Sequence, residues 1–224
     1  MKLRVRLAKT GMARFFSHLD LQRTIERTLR RAGLPIAYSQ GFNPHPRISF
    51  ASALATGTSS EGEFIDVELT EEMEPQAFVA QANAHCPQGI RLMEARHLPA
   101  AKGDSLMSLI DAAEYRLTVT GADLGQLQAA VDGLLAAETV EVTKEGRTGP
   151  RQVNIRPQVY ALEVTGPGEL RAVVQTGPQG NLKPEDLLTG LRTLAPDLAL
   201  SQTHRLALYR RDPETGALTE PWAL

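Results

Sequence analysis

The residues best equipped for chemistry near the start of the chain are two histidines, His18 and His45, and four arginines, Arg23, Arg27, Arg30 and Arg31. His45 lies in "SQGFNPHPRISFA", Ser39 to Ala51, where Asn43-Pro44 and His45-Pro46 stand side by side. Proline pushes the residue before it out of the α region and fixes its own φ, so Asn43 and His45 are held extended. Gly41 permits the turn that opens the loop. The expectation is a stiff tip presenting Asn43, His45 and Arg47, which loses little entropy on binding. These side chains are donors suited to phosphate, ribose or base edges. A rigid turn whose His caps a neighbour is the alternative. Phe42 is read as a plug for the core, with stacking on a base as its other use.

The arginines sit on a helix, "SHLDLQRTIERTLRRAG". Ser17 caps it, Asp20 takes the capping-box position, and Gly33 ends it before Pro35. With Leu21 at zero and about 100° per residue, Ile25, Leu29 and Ala32 fall within about 80° of it. Arg23, Arg27, Arg30 and Arg31 fall at roughly 180–280°. One face is core and the opposite face is an arginine stripe, with Glu26 the only acid near it. Guanidinium groups one turn apart can follow a phosphate backbone, each making paired hydrogen bonds. A solvated face is the bland alternative, although unpaired like charges at i, i+4 repel. A second basic stretch, "TKEGRTGPRQVNIRPQ" (143–158), places Lys144, Arg147, Arg151 and Arg156 around one acid, Glu145. A basic, Gly-containing hairpin of this kind can track a phosphate backbone.

Catalysis has thinner support. His18 and His45, with Lys9 and Tyr38 nearby in sequence, are candidates for metal-independent, imidazole-promoted RNA cleavage. His18 lies about 60° from Leu21 on the wheel, nearer the core face, which favours a structural ring. His85, His97 and His204 are scattered singly and match no metal-ligand spacing. There is no Ser/His/Asp arrangement or Gly-x-Ser-x-Gly motif. "TGTSSEGE" (56–63) lacks the Gly-Lys-Ser/Thr ending of a phosphate-binding loop. The reading is therefore binding, with no catalytic residue, metal or cofactor assigned.

Composition sets the frame. The 224 residues are 42% apolar and 22% charged, as in an ordinary globular chain. No apolar run is long enough to cross a membrane, and "MKLRVRLAKTG" alternates too strictly for a signal peptide, so a cytoplasmic protein is expected. One cysteine, Cys86, excludes an intrachain disulfide and a cysteine-held iron–sulfur cluster or zinc ribbon. A small buried hydrophobe is its expected role. The net charge of −2 hides an asymmetry. Residues 1–60 hold ten Lys and Arg against Asp20 and Glu26, a net +8, while the rest carries −10. A basic end on an acidic body suggests an anionic partner.

The elements that must position these residues read as β-α-β-β-β-α-β. Lys2–Lys9 alternates as a half-buried strand with Lys2, Arg4 and Arg6 on its outer face. Further strands fall at 35–40, 47–54, 62–69 and 89–97, with a second helix at 74–85. "LPAAKGDS" (98–105) reads as a linker. The order then recurs: a strand at 113–120, a helix at 122–137, strands at 138–144, 152–165 and 169–176, a helix from Pro184, and a last strand at 198–209. The fold class expected is α+β, with two tandem ferredoxin-like (split βαβ) domains, 1–98 and 106–224, each with an extra strand.

The segment from "FFSHLDLQRTIERTLRRAG" through "GFNPHPRISF" to "EFIDVEL" resembles the signature of the radical-SAM-linked protein family, a bacterial domain of unknown function found alone or fused to a radical S-adenosylmethionine (SAM) enzyme. The resemblance implies association with such an enzyme and assigns no residue a role. By architecture alone, tandem ferredoxin-like domains with a basic Gly-rich loop also look like the CRISPR repeat-processing proteins. The expectation is a non-catalytic RNA-binding accessory of a radical SAM enzyme, with tRNA or rRNA as ligand. A protein-only adaptor and a metal-independent endoribonuclease are the alternatives.

Overall fold

The computed structural model describes residues 1–98, 105–146 and 149–223. Most of the expected linker, 99–104, and Arg147 lie outside the described residues. The fold is mixed α+β, with antiparallel strands predominating, and it divides into two compact units. One is Met1–Ile110 with Ala207–Leu224, and the other is Asp111–Leu206. The span expected for the second domain, 106–224, is thus divided differently, because its last stretch belongs to the first unit.

The first unit contains β1 (Lys2–Lys9), α1 (His18–Arg31), β2 (Ile48–Phe50), β3 (Ser59–Glu68), α2 (Pro75–Asn83), β4 (Ile90–Leu98) and the single turn α3 (Leu106–Leu109). Strand β1 lies between β4 and β3, antiparallel to both, and β2 pairs with β3. Leu3, Val5 and Leu7 of β1 are buried with Ile65 and Val67 of β3, and Leu21, Ile25 and Leu29 of α1 join the same core. Cys86 packs against this core as a small hydrophobe, and burial pushes its thiol above the usual range.

Helix α1 begins and ends as its local residues dictate. The Ser17 hydroxyl accepts from the Asp20 backbone N–H (3.2 Å), and the Asp20 carboxylate accepts from the Ser17 backbone N–H (3.2 Å), which closes a capping box. At the other end Gly33 takes φ 64°. There the Gly33 N–H reaches the Arg30 carbonyl (3.1 Å) and the Leu34 N–H reaches the Leu29 carbonyl (3.2 Å), a Schellman motif.

The chain reaches α1 through a 3-10 turn, Gly11–Phe15. Lys9 anchors that turn: its side chain is wholly buried, and Nζ donates to the carbonyls of Arg14 and Phe16 at 3.1 Å each. Gly89, at φ 86°, lets the turn before β4 pass beside it. A Cβ there would stand 2.5 Å from the Thr10 carbonyl oxygen.

Three expectations for this unit are corrected. The strand expected at 35–40 is reduced to isolated bridges, because its first half pairs with the chain at the end of β3, Ile36 with Leu69, and its second half turns back on its own loop, Tyr38 with Pro46. The strand expected at 47–54 shrinks to Ile48–Phe50. The outer face of β1 is not uniformly exposed. Arg4 is 3% accessible, and its guanidinium pairs with Asp66 (2.8 and 3.1 Å), which is 1% accessible. Arg4 also donates to the Pro221 carbonyl. The adjacent Trp222 meets Phe64 edge-on at 4.9 Å and lies beneath the Arg96 guanidinium at 4.5 Å. The C-terminal segment therefore covers strand residues that alternation alone assigns to solvent.

The second unit contains β5 (Ala112–Thr120), α4 (Leu124–Ala136), β6 (Glu141–Gly146), β7 (Gly149–Asn154), β8 (Val159–Gly166), β9 (Glu169–Gln175), α5 (Pro184–Leu191) and the first part of β10 (Ala199–Arg211). Strand β9 lies between β5 and β8, antiparallel to both, while β6 and β7 form a separate hairpin. The single strand expected at 152–165 is two strands. A 3-10 turn at Arg156–Gln158 breaks it, where Pro157 donates no N–H to a ladder. The Arg156 guanidinium holds this turn through the carbonyls of Leu135 (3.2 and 3.0 Å) and Val159 (3.1 Å).

Arg4→Ala leaves the buried Asp66 carboxylate short of its main partner, and the expected loss of stability is about 3–5 kcal/mol in denaturant unfolding. A loss below about 1 kcal/mol would show that Lys2, 3.2 Å from the same carboxylate, compensates. The capping box makes a second prediction. Ser17→Ala is expected to cost about 1 kcal/mol. The hydroxyl and backbone N–H of Ser17 hold the Asp20 carboxyl below its ordinary pKa, with a smaller contribution from the charge of Arg23. Its stabilisation is therefore full above the ordinary carboxylate range, about pH 4, and is lost as pH falls through the lowered value. Thermal melts of Asp20→Asn should differ from wild type at neutral pH and converge with it in acid.

Candidate functional site

The core face and capping geometry of α1 roll its arginines outward. Arg23, Arg27, Arg30 and Arg31 are all exposed, while Leu21, Ile25, Thr28 and Leu29 are buried. Among the described residues, Arg27, Arg30 and Arg31 form no ion pair or side-chain hydrogen bond. Arg30 and Arg31 lie in the last helical turn, where positive charge also complements the helix dipole.

The double-proline loop closes on itself. The Ser39 N–H donates to the His45 carbonyl (2.9 Å), the His45 N–H donates to the Ser39 hydroxyl (3.0 Å), and the Arg47 N–H donates to the Ala37 carbonyl (2.8 Å). These bonds isolate a tip in which Gly41, Phe42, Asn43, Pro44 and His45 are all exposed. Gly41 takes φ 128°, a conformation open to glycine. Phe42 does not plug the core: at 108% relative exposure it is the most solvent-accessible large apolar side chain described. The loop's proline restraints and hydrogen bonds hold its backbone in a tip that reaches no apolar surface. Arg47 is committed elsewhere, its guanidinium 2.9 Å from the Glu68 carboxylate. Of the three polar residues expected at the tip, Asn43 and His45 are therefore the two with uncommitted side chains among the described residues.

The second basic stretch is likewise divided. Lys144 pairs with Asp186 at 2.9 Å and is largely covered. Arg156 is structural, as described above. Arg151 is exposed on β7, and Arg147 lies outside the described residues.

His18 packs edge-on against Phe50, with ring centroids 5.3 Å apart and planes at 85°, as its place on the wheel predicts. His45 stands exposed at the loop tip with no side-chain hydrogen bond or ion pair among the described residues. No group of three or more metal-ligating side chains is gathered among the described residues.

One feature escapes a linear reading. Beside Arg27 and Arg31 lies a cavity of about 290 Å³, bordered also by Thr24, Phe16, His85 and Pro87. His85 follows α2, which is tied to the end of α1 by the Gln81 side-chain amide donating to the Ala32 carbonyl. In sequence His85 is a lone histidine far from the arginines. Only the packing of α2 on α1 brings it to them.

Comparison with known proteins adds fold and family. No curated protein matches the sequence. Among solved structures, a chain in a crystal structure of a Cbf5-Nop10-Gar1 complex superposes with a TM-score of 0.51 at 11% identity, covering 92% of this chain and 48% of that one. A chain of the archaeal box H/ACA sRNP Nop10-Cbf5 complex gives 0.48 at 12% identity, covering 91% and 46%. The protein thus spans about half the length of the solved chains it matches, and the first likeness is one of fold. Residues 2–184 match a family described as an uncharacterized protein conserved in bacteria, DUF2344, and the chain belongs to that family.

Proposed function

We propose that this protein is a non-catalytic RNA-binding accessory. The observation that carries the proposal is the exposed arginine face of α1, on which Arg27, Arg30 and Arg31 meet no acid among the described residues. Exposed guanidinium groups at helical spacing suit successive phosphates, each by paired hydrogen bonds. Asn43 and His45 add donors from a stiffened tip, and the exposed Phe42 ring is free to stack on an unpaired base. In the second unit the exposed Arg151 offers a further guanidinium, while Lys144, paired with Asp186, does not.

The partner follows from the resemblance of the Ser-His-Leu-Asp and Gly-Phe-Asn-Pro-His-Pro segments to the radical-SAM-linked family. A radical SAM enzyme in the cytoplasm would carry the iron–sulfur cluster, since this chain has one cysteine. The accessory would present a structured RNA, a tRNA or rRNA, to that enzyme. Among the described residues no helix is long and apolar enough to cross a membrane. The strand orders β4-β1-β3 with β2 on β3, and β10-β5-β9-β8, support a split βαβ plan in each unit. In the second unit the β6–β7 hairpin is an insertion into that plan.

Binding of total tRNA and rRNA fragments at two salt concentrations is the test. Wild type should bind with an affinity that falls steeply as salt rises, and Arg23→Glu/Arg27→Glu should remove about two phosphate contacts, flattening the log–log salt slope by roughly 1.4–1.8. Absence of binding by wild type, or affinity indifferent to salt, would reject the RNA surface and leave a protein adaptor.

A further inference from the structure

We infer that the cavity between α1 and the segment after α2 is a receptor for a terminal phosphate monoester of RNA, and that His85 is a ligand residue there. The inference rests on the RNA-binding reading and deepens it by naming the group that one part of the arginine face recognises.

The four arginines of α1 are not equivalent. At about 100° per residue, Arg23 and Arg30 point near 180–200° from Leu21, straight out from the core, whereas Thr24, Arg27 and Arg31 lie at about 240–300°, on one flank. That flank borders the cavity of about 290 Å³, whose other walls include His85, Phe16 and Pro87. Arg27 and Arg31 are one turn apart, so their Cβ atoms are about 5–6 Å from each other, close enough for both guanidinium groups to reach one phosphate. Thr24 adds a hydroxyl. The His85 Nδ1–H donates to the Gln81 carbonyl at 3.2 Å, which fixes the ring, and in the imidazolium form Nε2–H is the donor left for a phosphate oxygen. Among the described residues no carboxylate borders the cavity.

The donor set favours a monoester over an internal diester. A phosphate monoester carries a charge of about −1.5 to −2 at neutral pH and three free oxygens. An internal diester carries a single charge and two. Two guanidinium groups, an imidazolium Nε2–H and a hydroxyl exceed what a diester uses. The partly buried Phe16 and the Pro87 ring give an apolar wall suited to the sugar next to that phosphate. With a water molecule's share of volume at about 30 Å³, the cavity holds roughly ten waters. That is room for a phosphate and part of its sugar. The outward pair, Arg23 and Arg30, is left for the continuing strand.

The experiment compares one short RNA oligonucleotide in three forms: with a 5′-phosphate, with a 3′-phosphate, and with hydroxyls at both ends. Binding to the full chain is measured for wild type, Arg31→Gln, His85→Ala and Arg23→Gln, all at exposed positions. One phosphorylated form should bind wild type about tenfold more tightly than the hydroxyl form, the worth of one set of charge-assisted hydrogen bonds, and which form does so identifies the end recognised. Arg31→Gln and His85→Ala should abolish that preference, while Arg23→Gln should weaken all three forms and keep it. Equal affinity of the three forms for wild type would overturn the monoester site while leaving the RNA surface standing. A preference that survives His85→Ala would remove His85 from it. Failure of wild type to bind any form would overturn the RNA reading, and this inference with it.

Discussion

A single buried ammonium sets the entry to the arginine-bearing helix α1. Lys9 ends β1 with no solvent contact, and its Nζ donates to two carbonyls of the turn that follows. A charge taken out of water is tolerated only where its donors are satisfied. The Arg14 and Phe16 carbonyls must therefore stand where they do, and Ser17, the cap of α1, is the next residue. The path from strand to helix is fixed within a few residues. Once α1 starts there with Leu21, Ile25 and Leu29 turned into the core, the outward direction of its arginines follows from helical geometry.

The same chain uses basic residues in two opposite ways. Arg4, Lys9, Lys144 and Arg156 are covered and spend their donors on carboxylates or backbone carbonyls. Arg171 bridges Glu114 and Glu163 on neighbouring strands, which raises its already high pKa. These groups tie strands, turns and the C-terminal segment together. Arg27, Arg30 and Arg31 are left outside that network. Arg116 and Arg151 are unmatched too, but among the described helices α1 alone carries unmatched basic groups at successive turns.

What could be read from the sequence was what depends on neighbours within a turn or two. The capping box of Ser17 and Asp20, the Gly33 stop and the two faces of α1 are local, and each was legible. So were the extents of α2 and α4, within two residues at each end. Pairings across distance were not. Nothing near Arg47 or Lys144 announces Glu68 or Asp186 as partners, so two of the expected contact residues prove to be committed. The 35–40 segment has strand-like residues, yet its backbone divides its partners between the end of β3 and its own loop. Phe42 reads as core by hydrophobicity alone. Its exposure is set by the loop's closure, which depends on Ser39, and by the prolines that keep the tip from folding inward. His85 is placed beside Arg31 only by the packing of one helix against another.

The return of Ala207–Leu224 to the first unit makes the second unit an insertion in the order of synthesis. Pro221 and Trp222 complete the surroundings of Arg4, Phe64 and Arg96. A ribosome adding about 5–20 residues per second leaves the first unit without that segment for roughly 5–20 s while the second is made. During that interval the Arg4–Asp66 pair and the Phe64 ring are open to water. The arginine helix, whose cap and core contacts all come from earlier residues, is assembled before the unit that carries it is finished. A nascent chain can therefore present its basic face while the protein is still being made.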